Sequence, residues 1–216
     1  MNAEQKEIIK TKQKLLAEEV IRVNMPTEHG VFELVGFEEK LTGKTLFALT
    51  KGTWEKNEPV LVRIHSSCIT GDILGSLRCD CGPQLEAAMK KVQEEGQGII
   101  VYVEQEGRGI GFLNKMKTYK LQEQGMDTVE ANLHLGFEAD QRNFVPAIDA
   151  LKILGVQRLR LMSNNPLKKE TLESCGVEVV EMVSLEIEAN EYNSFYLKTK
   201  RDKMRHTLFQ EGLKGS

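Results

Sequence analysis

Residues Arg63–Gln84 read RIHSSCITGDILGSLRCDCGPQ, and three of the chain's four cysteines, Cys68, Cys79 and Cys81, fall inside this stretch as Cys-x10-Cys-x-Cys. Upstream, Val60 to His65 reads as a strand in which Arg63 and His65 share one face and Val62 and Ile64 the other. Downstream, Leu85, Ala88, Met89 and Val92 recur at helical spacing until Gly96 ends the helix. The cysteines therefore occupy a loop between a strand and a helix. Thiolates so spaced, in a chain with too few cysteines for a disulfide framework, point to zinc. Three ligands leave a fourth position open, as in a catalytic zinc site. The alternatives are a structural site completed by Cys175 or a histidine, and three cysteines buried as small apolar side chains.

Working outward, Ile99 to Val103 is an apolar run that predicts a buried strand, followed by the glycine-rich segment Gln105-Glu106-Gly107-Arg108-Gly109-Ile110-Gly111. Glycines between a strand and a helix let backbone amides approach an anion, and Arg108 adds a planar donor fork; the plainer account is a tight turn. The next helix, Ile110 to Gln124, carries Phe112, Met116 and Tyr119 on one face. Asp127 to Leu135 reads as a polar connection, and Asp140 and Arg142 as an ion pair ahead of a helix from Phe144 to Leu154. Leu159 to Met162 is a strand, after which Asn165 caps and Pro166 opens a helix with Lys168 in its first turn. A cation there opposes the helix dipole, which a bound phosphate would offset, although an exposed lysine is the commoner account. Val177 to Met182 is a last strand, and Ser194 to Leu208 a charged helix whose basic residues Lys198, Lys200, Arg201, Lys203 and Arg205 form a solvated face.

Before the cysteine stretch, Val31 to Phe37 and Thr45 to Thr50 read as strands around a turn at Gly43, and Glu4 to Ile21 as an amphipathic helix ended by Pro26. The alternation of strands and helices gives an α/β (α+β) fold, a mixed sheet with helices packed on it. A net charge of −3 and a pI near 5.9 argue against bulk nucleic-acid binding. No apolar run is long enough for a signal peptide or a membrane span, so a cytoplasmic protein is expected, with its thiols reduced.

Taken together, RIHSSCITGD, RCDCGPQLEAAM, QEGRGIG, LNKMKTYKLQEQGMDTVEAN, GFEADQRNF, LMSNNPLKK and YLKTKRDKMRH resemble GTP cyclohydrolase II, the zinc enzyme that opens riboflavin biosynthesis. The likeness divides the chain into an N-terminal helical extension, 1–24, a catalytic domain, 25–208, and a C-terminal tail, 209–216. It implies that GTP loses C8 of guanine as formate and its outer phosphates as pyrophosphate, leaving a diaminopyrimidinone ribosyl phosphate. It further implies one zinc per chain on Cys68, Cys79 and Cys81, activating the attacking water, with magnesium arriving on the triphosphate. By the same likeness Arg63, Ile64, His65, Ser66, Ser67, Gln84, Glu106, Gly107, Arg108, Thr128, Ser163 and Lys168 contact GTP. Tyr119 stands near the zinc, Asp140 acts as general base, Arg142 is the nucleophile in a transient guanylylated enzyme, and the protein is a homodimer. On physical grounds Arg142 equally serves as a clamp on the α-phosphate, because a guanidinium stays protonated.

Two positions depart from the family. Ser67 replaces a glutamate before the first cysteine, and Glu104 replaces a basic residue before Gln-Glu-Gly-Arg. These leave room for a paralogue that stops at the formamidopyrimidine or serves another purine-derived pathway. A non-catalytic nucleotide-binding module with structural zinc is the reading from a different class.

Overall fold

Four parallel strands carry the site. In the computed structural model, which describes residues 15–205 and 207, they are β4 (Pro59–Ser66), β5 (Gly98–Val103), β6 (Arg158–Met162) and β7 (Glu178–Val183). The strands β1 (Ala17–Thr27), β2 (Gly30–Glu39) and β3 (Thr45–Lys51) extend the sheet antiparallel from β5, giving the order β1-β2-β3-β5-β4-β6-β7. Among the described residues six α-helices accompany it: α1 (Cys81–Glu95), α2 (Phe112–Gln122), α3 (Thr128–His134), α4 (Val145–Ile153), α5 (Pro166–Ser174) and α6 (Ser194–Met204). The sheet is mixed and has helices packed on it, as the alternation of periods predicts.

Each face of the sheet has its own core, because side chains alternate along a strand. Val60, Val62 and Ile64 of β4 pack with Val101 of β5, Leu161 of β6, Ile148 and Leu151 of α4 and Leu172 of α5. Leu61, Ile100 and Met162 look the other way, onto Ala88 and Val92 of α1. The chain leaving β4 thus crosses one face, and the chains leaving β5 and β6 cross the other. A crevice opens at the carboxyl ends of such strands, where ligands of open α/β sheets settle.

Several expectations change. Residues 17–21 lie in an edge strand instead of a helix, while 4–14 fall outside the described residues. Val20, Ile21 and Val23 are β-branched, and the tight turn after Thr27 folds β1 back on β2, so hairpin pairing overrides the approximate helical spacing. Pro26 does not end the element: it pairs with Val31 on the edge, where a missing N–H costs nothing. Asp127 to Leu135 is no plain connection, since α3 begins there with a capping box in which Asp127 accepts from Glu130 N and Glu130 from Asp127 N.

Candidate active site

The cysteine loop is shaped by two close approaches. A side chain on Gly71 would stand 2.9 Å from Cys79 Sγ and 3.2 Å from Cys68 Sγ, and one on Gly82 would stand 2.3 Å from the Gly71 carbonyl. Only glycine at both positions lets the turn after Cys68 lie against the start of α1, where Cys81 occupies the first helical position. The three sulfur atoms lie within 4.8 Å of one another, with Cys68 and Cys79 3.7 Å apart. Tetrahedral zinc with bonds of about 2.3 Å places its sulfurs about 3.8 Å apart, so the donor set fits that ion. Among the described residues no fourth ligand joins the group. Cys175, the other candidate, packs on the core at the end of α5.

Charge around the thiols favours a cation. Hydrogen bonds from Cys79 and Cys81, with help from Lys115 and Thr70, hold Cys68 far below the usual thiol range. The bond to Cys68 pushes Cys79 up to about 11, and Cys81 is raised well above its usual value for the same reason. The first thiolate therefore opposes the others, and binding of a divalent cation releases protons.

Beyond the thiols the crevice is lined by cations: Arg63, Arg108, Arg142, Lys168 and Lys200. Arg63 donates to the Met162 carbonyl at 2.9 Å and to Gln84 Oε1 at 2.5 Å. Gln84 in turn donates to Asp80, which also receives Lys200 at 2.8 Å. Arg63 Nε and both terminal nitrogens of Arg108 are buried and find no hydrogen-bond partner among the described residues. Arg108 and Gly107 both adopt left-handed backbone, φ near 61° for each, a strained choice for arginine that turns the loop sharply. Burial lowers Arg63 to about 10 and, with Arg63 and Arg142 nearby, drives Lys168 well below its ordinary value. An anion entering the crevice relieves these costs.

The structure brings most of the expected residues to this crevice: Arg63, His65, Ser66, Ser67, Gln84, Glu106, Gly107, Arg108, Tyr119, Thr128, Arg142, Ser163 and Lys168 line it with the three cysteines. Two do not. Ile64 points into the core at 0% exposure and offers only its carbonyl, which accepts from Lys168 Nζ at 2.6 Å. Asp140 stands behind Arg142, its oxygens 2.8 Å from Nε and 2.5 Å from Nη2. That carboxylate is held below its ordinary range: burial raises it, but the bonds from Arg142 outweigh burial. The pair is a half-buried fork in the crevice and not a surface ion pair.

Lys168 is likewise no exposed lysine but 5% exposed. Lys200, expected on a solvated face, is half-buried and paired with the buried Asp80. The buried face of α2 carries Lys115 and Thr118, with Phe112, Met116 and Tyr119 half-buried beside it. Sequence reasoning missed Lys115, Lys200 and also Arg78, whose guanidinium covers the Tyr119 ring at 4.9 Å. A lysine at a core-facing helical position was the available signal for the first.

Of the two departures, Glu104 is exposed, whereas Ser67 is buried and its Oγ accepts from Gln105 N at 3.0 Å. Gln105 N also reaches the Val103 carbonyl at 2.9 Å, so Ser67→Ala removes one of two acceptors and should cost about 0.5–1.5 kcal/mol. A lower denaturant midpoint at unchanged slope is the expected reading.

A family model described as GTP cyclohydrolase II matches residues 18–184. The riboflavin biosynthesis protein RibBA of Cytophaga hutchinsonii is 57% identical over 196 residues, covering 91% of this chain and 48% of that protein. RibBA of Porphyromonas gingivalis is 55% identical over 197 residues, covering 91% and 49%. GTP cyclohydrolase-2 of Haemophilus influenzae is 54% identical over 190 residues, covering 88% of each. The chain spans about half the length of the RibBA proteins it matches.

Proposed function

The chain belongs to the GTP cyclohydrolase II family, and from that premise we propose that it hydrolyses GTP, releasing formate from the guanine ring and pyrophosphate from the triphosphate as the opening step of riboflavin biosynthesis. One observation carries the reading: a three-thiol metal cradle and a set of under-partnered buried cations share one crevice. A purine triphosphate needs both, one for its ring and one for its phosphates.

Cys68, Cys79 and Cys81 would hold zinc, which when bound supplies a Lewis acid that makes water nucleophilic near neutral pH. The chain's own groups do the remaining work. Tyr119 stands 3.2 Å from Thr70 Oγ1, and burial pushes its phenol up to about 12, so it stays protonated and donates to the developing charge on the ring or formyl oxygen. Arg108, Lys168 and Arg142 bind the phosphates, and Asp140 fixes the Arg142 fork. With Nε and Nη2 both engaged by a carboxylate, Arg142 serves as a clamp and not as a nucleophile. Magnesium on the outer phosphate oxygens, a homodimeric assembly and a cytoplasmic site of action follow from the family resemblance. Among the described residues no helix is long and apolar enough to cross a membrane.

A time course with GTP should give formate, pyrophosphate and the diaminopyrimidinone in equal amounts. Pyrophosphate accumulating beside an unhydrolysed formamide would overturn the assignment.

A further inference from the structure

Lys115 directs its donors to three groups on two loops of the crevice. Its Nζ lies 3.0 Å from Cys68 Sγ, 2.9 Å from Thr70 Oγ1 and 2.6 Å from Glu106 Oε1, and the residue is only 8% exposed. Glu106 is itself a joint: Oε2 accepts from Ile69 N at 2.6 Å and Oε1 from Gly107 N at 3.0 Å. One ammonium thus ties the cysteine loop to the glycine-rich loop, two segments that share no strand or helix. An ammonium donates and never accepts, so Thr70 Oγ1 must accept from it. The Thr70 proton is then left to donate to the Cys68 thiolate 3.5 Å away, while Tyr119 OH lies 3.2 Å from the same oxygen.

We propose that Lys115 is a positioning residue that acts through Cys68 and Thr70: its N–H draws electron density from the Cys68 thiolate, and its bond to Thr70 Oγ1 turns the Thr70 hydroxyl to donate to the same sulfur. The inference rests on the reading of the three cysteines as metal ligands. A hydrogen bond from a cation weakens a thiolate's donation, which makes the metal it holds a stronger Lewis acid, and such outer partners commonly change metal sites by 10- to 100-fold. A merely structural lysine would hold the loops together without altering the sulfur's electrons.

Cobalt(II) distinguishes the two. The purified protein loaded with cobalt should show thiolate-to-metal charge-transfer absorption. Removing the lysine alone would strand Glu106 as a buried charge, so the variant to load is Lys115→Met with Glu106→Gln. Its charge-transfer band should move to longer wavelength, because a thiolate relieved of its hydrogen bond gives up an electron more readily. Lys115→Arg, which keeps a charged donor, should restore the band toward its original position. Should the double variant fail to fold, Lys115→Gln with Glu106→Gln keeps an uncharged N–H, and a smaller shift in the same direction is expected. A band that stays at the wild-type wavelength in a folded variant overturns the role of Lys115. Absence of any thiolate–cobalt band in the wild type overturns the metal reading itself, and the inference with it.

Discussion

Cys79→Ser is expected to abolish formate release, by at least about three orders of magnitude, since the Lewis acid it helps hold is worth several kcal/mol in the transition state. A hydroxyl is a harder and far less acidic ligand than a thiol, and the remaining Cys68 and Cys81 cannot close a stable zinc site by themselves. Zinc content should fall from about one ion per chain to a small fraction, measured by elemental analysis after purification without added metal. The cations of the crevice are untouched, so pyrophosphate release should persist within about tenfold. Cys79 is buried beside Gly71 and Cys68, and serine is slightly smaller than cysteine, so the fold should survive. Formate released at the wild-type rate by the metal-free variant would sink the zinc reading.

The second large effect concerns the phosphates. Arg142→Lys keeps a positive charge but loses the planar fork that Asp140 grips with both oxygens. Pyrophosphate release should fall by about two to three orders of magnitude, comparable to losing a preorganised transition-state donor. Asp140→Asn should produce a smaller loss, because the fork keeps one acceptor and its stacking on Phe144, 5.2 Å from the ring centre. Rapid quenching of the wild-type enzyme during turnover, followed by peptide mass analysis, should find no guanylylated Arg142. Recovery of that adduct would replace the clamp with a nucleophile.

What the sequence made legible was local. The cysteine spacing, the glycines after β5, the Asn165-Pro166 start of α5 and the Gly96 end of α1 each depend on a few neighbouring residues, and each reappears in the structure. Errors arose where a distant partner decides. Residues 17–21 suit a helix or a strand until β2 is present to pair with them. Lys200 reads as solvated until Asp80, far away in sequence, is brought to it. The same limit applied to Lys115: its position on the buried face of α2 made it unusual, but nothing local reveals that a thiolate and a carboxylate await it. Charged side chains on helices are usually exposed, and only tertiary pairing offsets the burial of these.

The ion pair between Lys200 and Asp80 has a consequence for how the molecule is made. Asp80 lies between two of the thiols and Lys200 on α6, 120 residues later; residues 194–204 supply Tyr196, Lys200 and Met204 to the crevice wall. During synthesis on a ribosome at about 5–20 residues per second, α6 trails the cysteine loop by several seconds or more. The thiol-bearing loop is therefore synthesised well before the helix that completes the crevice wall. Closure of the crevice thus waits on a late-made helix, whose Lys200 docks on the Asp80 that stands between Cys79 and Cys81.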